Sequence, residues 1–589
     1  MHIAHVLSQN ELTGAEVYAV SLVQEQIFAG HKVYQISNNF FKATEATKFK
    51  IDVEVKSKIQ FIKNIFVVRK FLKLNSIHVV HSHSRAASKL IFYATLGLKI
   101  GTLSTIHGRQ HVSFSKKLFN QYGQFIIPVC ENITKQLKNE FEYNPRYIQT
   151  IPNGLDPQIF NFKEKKAFKQ NTVLKIALIG RQSGPKKIRN ELFIKHFSEL
   201  LTQKNILFKI LLIASANEKI IINSELLHQY DLICGSGRVC IEALISGVPC
   251  IAFGESAYLG LTTKDNFDSH CVSNFGDIGQ NFDWPQFNFK QAEIDIKNIF
   301  SNDFFDLKSL SQLALSKFQL KSVSQQIMRV YESAYFIANY NHWIPILMYH
   351  KITNTSLNTA HKIYVTKKNF EKHLRFFYTR NLTPVTFNEL VLYRKAQKDW
   401  SDFPKNPFIL TFDDGYEDNL LNADDLLKKY SYKAHIYLLA EDSIDHNTWD
   451  SEVVSTDKHP IVSKQNRQKW NQSQFVIGSH GIKHDRMPLM TESEKLDELV
   501  KSKVLLENEF NVKVNSFAYT FGDTNLDCSK ACQKAGYDYG LNTDSGGLTL
   551  EENPYSIFRV NIFPDETIFS LWKKTSKWYR RYYQWKRNK

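Results

Sequence analysis

The chain has no apolar run near the roughly 18 residues that a membrane-spanning helix needs; its best candidates are the short segments "KIALIG" and "KILLIA". The opening residues, MHIAHVLSQNE, lack the basic region and long apolar stretch of a secretory leader. Seven cysteines, an odd number without an export signal, argue against a disulfide framework. Cys528 and Cys532 lie one helical turn apart, but two thiols without further ligands do not make a zinc site. Short-period repeats and low-complexity blocks are also missing, which excludes solenoids and disordered linkers. What remains is a globular protein expected in the cytoplasm. Its 589 residues, 43% of them hydrophobic, are enough for about three to four domains.

Charge is present in excess, and its position matters more than its amount. The formal net charge is +17, and the segment from Trp572 to Lys589 carries eight Lys/Arg and no acidic residue. On a helix, Leu571, Trp578, Tyr582 and Trp585 share a stripe flanked by Lys574, Lys577 and Arg581. Aromatic and basic residues in that arrangement suit an anionic membrane surface. No nucleic-acid recognition motif accompanies them, so nucleic acid is not an expected partner.

Strands and amphipathic helices alternate from the first residue. "HIAHVLS", "IHVVHSH", "GTLSTIHG" and "FIIPVC" read as parallel strands, with Val20, Val23 and Ile27 on one helix face between them. After the lysine-rich "NFKEKKAFKQNT" the alternation restarts with "LKIALIG", "FKILLIA", "YDLIC" and "VPCIAF". In "DLICGSGRVCIEALISG", a strand runs into Gly235, Ser236 and Gly237 and then a helix near Arg238. Backbone N–H groups of such a loop suit a diphosphate. Glu242, one turn into that helix, is placed to accept from sugar hydroxyls.

With "TGAE", "STIHG", "IPNGLD" and "IGRQSGPKK", this region resembles glycosyltransferase family 4, whose GT-B fold pairs two Rossmann-like domains around a cleft. The resemblance covers about the first 340 residues. It implies Arg181 with Lys186 or Lys187 on the donor diphosphate, Glu242 on the nucleotide ribose, and His107 near the reacting carbon. Gly14 and Glu16 would lie on the loop between donor and acceptor. The glutamate that usually contacts the donor sugar falls on Cys234, and a thiol is a poor substitute for a carboxylate acceptor.

A third unit opens at "WIPILMYH". In "FILTFDDGYEDN" an apolar strand ends in Asp413 and Asp414, and "FVIGSHGIKHDRM" adds His480 and His484. If that segment is helical, a spacing of four puts both imidazoles on one face, where they and Asp414 make a two-histidine, one-carboxylate site for zinc or another divalent metal. These residues resemble the NodB-homology polysaccharide deacetylases, carbohydrate esterase family 4, with a distorted (β/α)7 barrel over roughly residues 343 to 570. The resemblance makes Asp413 the general base, Asp414 a metal ligand and the backbone N–H of Phe521, in "SFAYTFGD", an oxyanion donor. The family's usual proline is Thr520 here and its usual arginine falls near Ala518, which leaves Asp413 without a tether. No histidine follows His484, so the general acid is assigned to His350 in "ILMYHKI", similar to the poly-N-acetylglucosamine deacetylase branch.

The expected architecture is therefore α/β: Rossmann-like domains over 1–165 and 166–340, a deacetylase barrel over 341–571 and a basic aromatic tail over 572–589. The expected function is transfer of an N-acetylhexosamine from a UDP-linked nucleotide sugar to a lipid-linked glycan or lipopolysaccharide core, followed by metal-dependent N-deacetylation. A zinc ion is expected in the deacetylase and no cofactor in the transferase, with the protein peripheral on the inner face of the cytoplasmic membrane. One alternative is a deacetylase whose GT-B half only binds glycan; a more distant one is a non-catalytic membrane scaffold.

Overall fold

The computed structural model describes the chain except residues 9–13, 41–42, 114–116, 118, 164–171, 215–221, 281–285, 301–305, 360–361, 451–457, 544–552, 580–581, 583–584 and 586–589. It forms two compact units, Met1–Asn339 and Tyr340–Lys589. The first contains two α/β sheets. Strands β1 (His2–Val6), β2 (Lys32–Ser37), β3 (Thr47–Lys50), β4 (Val79–Ser82), β5 (Gly101–Ile106) and β6 (Phe125–Pro128) pair in the order 3-2-1-4-5-6, all parallel. β1, β4 and β6 are almost wholly buried, as continuous apolar runs covered on both faces should be.

The second sheet orders β7 (Leu174–Gly180), β8 (Phe208–Ala214), β9 (Leu232–Gly235), β10 (Cys250–Phe253) and β11 (Tyr258–Leu261) as 11-10-9-7-8, with only β11 antiparallel. The pair of open parallel sheets is the GT-B arrangement expected. The Leu320–Asn339 helix follows the second sheet in sequence yet packs on the first, where Gly101 has no room for a Cβ against Ala334 and Tyr335. Tyr331 on that helix reaches Gln26 and His81 by hydrogen bonds.

The second unit is a barrel. β12 (Ile346–Tyr349) is followed by a small parallel pair, β13 (Lys351–Thr353) with β14 (Tyr364–Thr366), and by β15 (Thr383–Pro384) at the foot of β16 (Pro407–Phe412). Then come β17 (Ala434–Leu438), β18 (Phe475–Ser479), β19 (Ser516–Ala518), β20 (Tyr539–Asn542), β21 (Ile557–Phe558) and β22 (Val560–Asn561). The sheet path is 21-20-19-18-17-16-12-22, every pairing parallel. Its two ends, β21 and β22, are one stretch of chain interrupted at Arg559, so the sheet closes into seven staves with the arginine at the seam. This is the distorted (β/α)7 barrel that the resemblance implied. β16 is buried throughout, and Leu347, Leu410, Phe412, Ile436 and Phe517 belong to one apolar cluster.

Candidate functional site

Both aspartates sit where β16 ends. Asp414 and Gly415 have φ values of 74° and 75°, so the chain turns sharply there and sends consecutive carboxylates to different partners. Such backbone strain at a non-glycine residue is typical of functional sites. A π-helical turn, Asn419–Ala423, follows before the regular helix Asp424–Tyr430. The Asp413 N–H donates to the Tyr349 carbonyl (3.1 Å), which brings the end of β12, and His350 after it, alongside.

Asp413 is not untethered. Arg559, fully buried at the barrel seam, grips it with two parallel bonds, Nη1 to Oδ1 and Nη2 to Oδ2, each 2.6 Å. The guanidinium is itself aimed by the Asn542 carbonyl and the Thr411 hydroxyl, both at 3.3 Å. Burial alone would raise the Asp413 carboxyl; Arg559, His480 and His350 bring it below the usual carboxylate range, which favours its ionised form. The expectation of a missing tether is thus corrected: the arginine absent near Ala518 comes from the last strand.

His480 follows β18 and His484 lies in the loop beyond, not on a helix. Gly481 (φ 89°) and His484 (φ 68°) are left-handed, a conformation no helix interior tolerates. Gly481 has no space for a Cβ beside the Glu498 carboxylate, which accepts from the Ile482 N–H and pins the turn. The two imidazoles converge because the chain reverses. Their Nε2 atoms lie 3.2 and 3.4 Å from Asp414 Oδ1. His480 Nδ1 bonds the Ala518 carbonyl at 2.7 Å, which fixes that proton and leaves the Nε2 lone pair facing Asp414. All three side chains are buried, and their ligand atoms lie within 4.8 Å of one another, a mixed N/O donor set that fits a divalent metal. Burial pushes Asp414 up, yet the two histidines hold it well below its ordinary value; burial lowers His484, and the aspartates outweigh burial at His480.

Around this centre, Trp449 stacks on His484 (4.1 Å between centroids, 13°) and Phe521 meets it edge-on at 4.5 Å, with the Arg486 guanidinium 4.0 Å above the Phe521 ring. Phe521 has φ 56° and is followed by Gly522, and the Thr520 hydroxyl anchors this turn to the Asp485 carbonyl at 2.5 Å. Threonine thus fastens the loop by a side-chain bond where the family uses a proline. His350 is lowered by burial, against the opposing pull of Asp414 and Asp413. Trp449 and Arg559 were not read from the sequence; a buried arginine in the apolar run "SIFRVNIF" was the available signal for the latter.

The basic tail divides. Leu571 and Tyr579 belong to the barrel's apolar cluster, while Trp578 and Trp585 are about half exposed and form a ladder through Tyr582. Lys574 is engaged by the Asn561 carbonyl and Glu566, so neither it nor Leu571 contributes to the stripe read from the sequence. Arg581 lies outside the described residues.

In the first unit the Gly-Ser-Gly loop does join β9 to the Arg238–Ser246 helix. Its donors are already engaged in part: the Gly237 N–H donates to the Asn274 carbonyl (3.1 Å) and the Ser236 hydroxyl to Asp277 (2.8 Å). Lys186 reaches the same Asp277 at 3.0 Å and Glu255 at 3.8 Å, and Arg181 is 3.7 Å from Glu255. Burial and Asp277 raise Glu255, whereas Lys186 and Ser236 hold Asp277 below its usual value despite burial. Lys187 instead pairs with Glu191 on the exposed helix face, which selects Lys186 as the lysine at the loop. Glu242 is buried and bonded to Arg238 of its own helix. Cys234 is wholly buried among apolar side chains, and burial pushes its thiol up to about 12. Gly14 opens the Gly14–Phe28 helix with Glu16 buried in its first turn, and His107 follows β5 beside Tyr18.

The Glycosyltransferase Family 4 description matches residues 12–159 and the Polysaccharide deacetylase description residues 401–540. A Bacillus subtilis (strain 168) protein named as a polysaccharide deacetylase, YxkH, is 31% identical over 221 residues, 38% of this chain and 72% of its own length. The poly-beta-1,6-N-acetyl-D-glucosamine N-deacetylase of Staphylococcus aureus (strain MRSA252) is 26% identical over 213 residues, 35% of this chain and 71% of its own. A solved glycosyltransferase from Rickettsia africae ESF-5 aligns with 56% of this chain and 98% of its own at 15% identity and a TM-score of 0.43. Among the described residues no helix is long and apolar enough to cross a membrane. By its barrel unit the chain belongs to the polysaccharide deacetylases, and it carries a glycosyltransferase family 4 domain at its N-terminus.

Proposed function

We propose that the chain transfers an N-acetylhexosamine from a UDP-linked nucleotide sugar to a lipid-linked glycan or lipopolysaccharide core and then removes the acetyl group from the sugar it has added. The observation that carries the reading is the assembly of Asp413 on Arg559 beside Asp414, His480 and His484, in one polypeptide with a glycosyltransferase domain. The name of the Staphylococcus relative supports an N-acetylated sugar as substrate.

Asp414, His480 and His484 would hold a divalent metal, zinc in this reading, which would make water acidic at neutral pH and polarise the acetamide carbonyl. Asp413, aimed by Arg559, takes the proton from the attacking water. The Phe521 backbone N–H stabilises the oxygen that gains charge. His350, beside Asp413 at the end of β12, gives a proton to the leaving amine. In the first unit Arg181 and Lys186, with the Gly235–Gly237 loop, receive the donor diphosphate, and Glu242 the ribose. The exposed Trp578 and Trp585 with Lys577 hold the protein against an anionic membrane on its cytoplasmic side. A tethered second site then sees the new product at raised effective concentration.

Glycan mass spectrometry of chromosomal variants tests the order. Asp413→Asn is expected to accumulate glycan that keeps the added sugar and one acetyl group more per site, whereas Glu242→Ala is expected to lack the whole sugar. Loss of the sugar in the Asp413 variant overturns the order. A second reading, a deacetylase whose first unit binds glycan without transferring sugar, is favoured by buried Cys234 and by the acids that already hold Arg181 and Lys186. Transfer by the full chain excludes it.

A further inference from the structure

Histidines crowd the carboxyl end of the first sheet. His5 on β1 is in register with His81 on β4, His83 stands two residues further, and His107 follows β5. Most of their ring nitrogens are joined in a single hydrogen-bonded chain. The Gln26 amide donates to the Tyr331 hydroxyl at 3.2 Å, so its oxygen accepts from His5 Nε2 at 2.8 Å. His5 Nδ1 is then a lone pair and accepts from His83 Nε2 at 2.9 Å. At the other end, the Tyr331 hydroxyl donates to His81 Nδ1 and His81 Nε2 to Thr105, each at 2.7 Å. The proton order assigns the remaining nitrogen: His83 Nδ1 carries a lone pair.

That lone pair is buried and, among the described residues, has no partner, and neither does the Tyr18 hydroxyl or His107 Nε2. The three rings form a triangle, with centroids 6.2 Å apart for Tyr18 and His83, 5.7 Å for Tyr18 and His107, and 6.2 Å for His83 and His107. Unpartnered buried polar atoms are costly and uncommon, and three in one place ask for a ligand. His107 is the partly exposed member, stacked over His83, and so forms the solvent side of the cluster.

Resting on the transfer reading above, we propose that Tyr18, His83 and His107 bind a neutral sugar hydroxyl, the acceptor alcohol of the glycosyl transfer, with His83 Nδ1 accepting its hydrogen bond. An alcohol both donates and accepts, so it satisfies the His83 lone pair and the Tyr18 hydroxyl together. A phosphate cannot donate to a lone pair unless protonated. A metal ion on His5, His81 and His83, whose nitrogens lie within 4.8 Å of one another, would have to displace bonds that already engage both nitrogens of His5, both of His81 and one of His83. Burial holds His83 and His107 below their ordinary range, consistent with neutral rings at physiological pH.

The test uses the full chain with radiolabelled UDP-N-acetylglucosamine and a lipid extract from a strain lacking the gene. His83→Phe is expected to lower transfer at least tenfold through the acceptor KM, with the donor KM and deacetylation unchanged, and His83→Gln, which keeps an acceptor oxygen, to recover much of it. Gln26→Leu, which releases the proton order without touching the alcohol, is expected to move the same constant less. An unchanged acceptor KM in His83→Phe while wild-type transfer proceeds overturns the site alone, as does zinc beyond one ion per chain that disappears in that variant. No transfer by the wild type overturns the transfer reading and this ligand with it.

Discussion

The two units hold their chemistry in opposite ways. In the barrel, groups from the ends of β12, β16, β18 and the β21–β22 seam converge, and three of them have partners that orient them: Asp413 on Arg559, His480 on Ala518, Asp414 between two imidazoles. In the first unit the basic groups expected to meet a donor are already held by acids, Lys186 by Asp277 and Arg181 by Glu255. A hydrolase acting on a neutral amide can keep its charges assembled before substrate arrives. A site for a diphosphate must exchange internal ion pairs for external ones, so its residues look satisfied without a ligand. The barrel's charges are preorganised, and on the proposed reading those of the Gly235–Gly237 loop are exchangeable.

The largest expected break in that contrast is at the proposed metal ligands. His480→Ala should lose metal and deacetylation together, by on the order of 1000-fold or more in rate, because water loses both activation and position. Full metal content in purified His480→Ala protein would refute the ligand assignment. Next is His350→Ala, which should keep the metal and lose on the order of 100-fold in deacetylation, the usual worth of a general acid; an undiminished rate would transfer the role elsewhere. Arg559→Lys keeps the charge but not the fork. Deacetylation should fall about tenfold or more, as a lost hydrogen bond to a charged group is worth about 1.5–3 kcal/mol, and an unaltered rate would show that Asp413 needs no second bond.

The smallest effect concerns pH. Asp418, just after the turn at Asp414 and Gly415, has a buried Oδ1 without a partner among the described residues, and burial raises its carboxyl to about 7. A raised acid means that the folded state binds a proton the unfolded chain has lost, so stability is greatest below the unfolded value near 4 and falls as pH rises from about 4 to about 7. Asp418→Asn should remove that part of the slope. Thermal melts at pH 5 and pH 8 that fall in parallel for both proteins would assign the dependence to other groups.

Much of this was legible from local patterns. An apolar strand ending in Asp-Asp-Gly and a histidine pair four residues apart point to a candidate metal site, whose side chains the structure brings together, and alternating strands and helices announce parallel sheets. The helical reason for the histidine pair was wrong, since positive φ at Gly481 and His484 is not visible in spacing alone. Arg559 escaped because its partner lies 146 residues earlier and the bond exists only when the barrel closes. Lys186 and Lys187 could not be separated, because which one faces the loop depends on the rotation of the helix that begins at Gly184. Asp277 and Glu255 come from loops after different elements, and no motif joins them.

The position of Arg559 also bears on when the barrel site is complete. A nascent chain that has emerged from the ribosome as far as Asn542 already contains both aspartates and both histidines of the candidate site, but its barrel lacks its closing stretch and Asp413 has no guanidinium. The residues from Ile557 on shut the sheet and carry the arginine with them. Chains truncated before that stretch are therefore expected to hydrolyse poorly, which a deacetylation assay of the truncated protein checks.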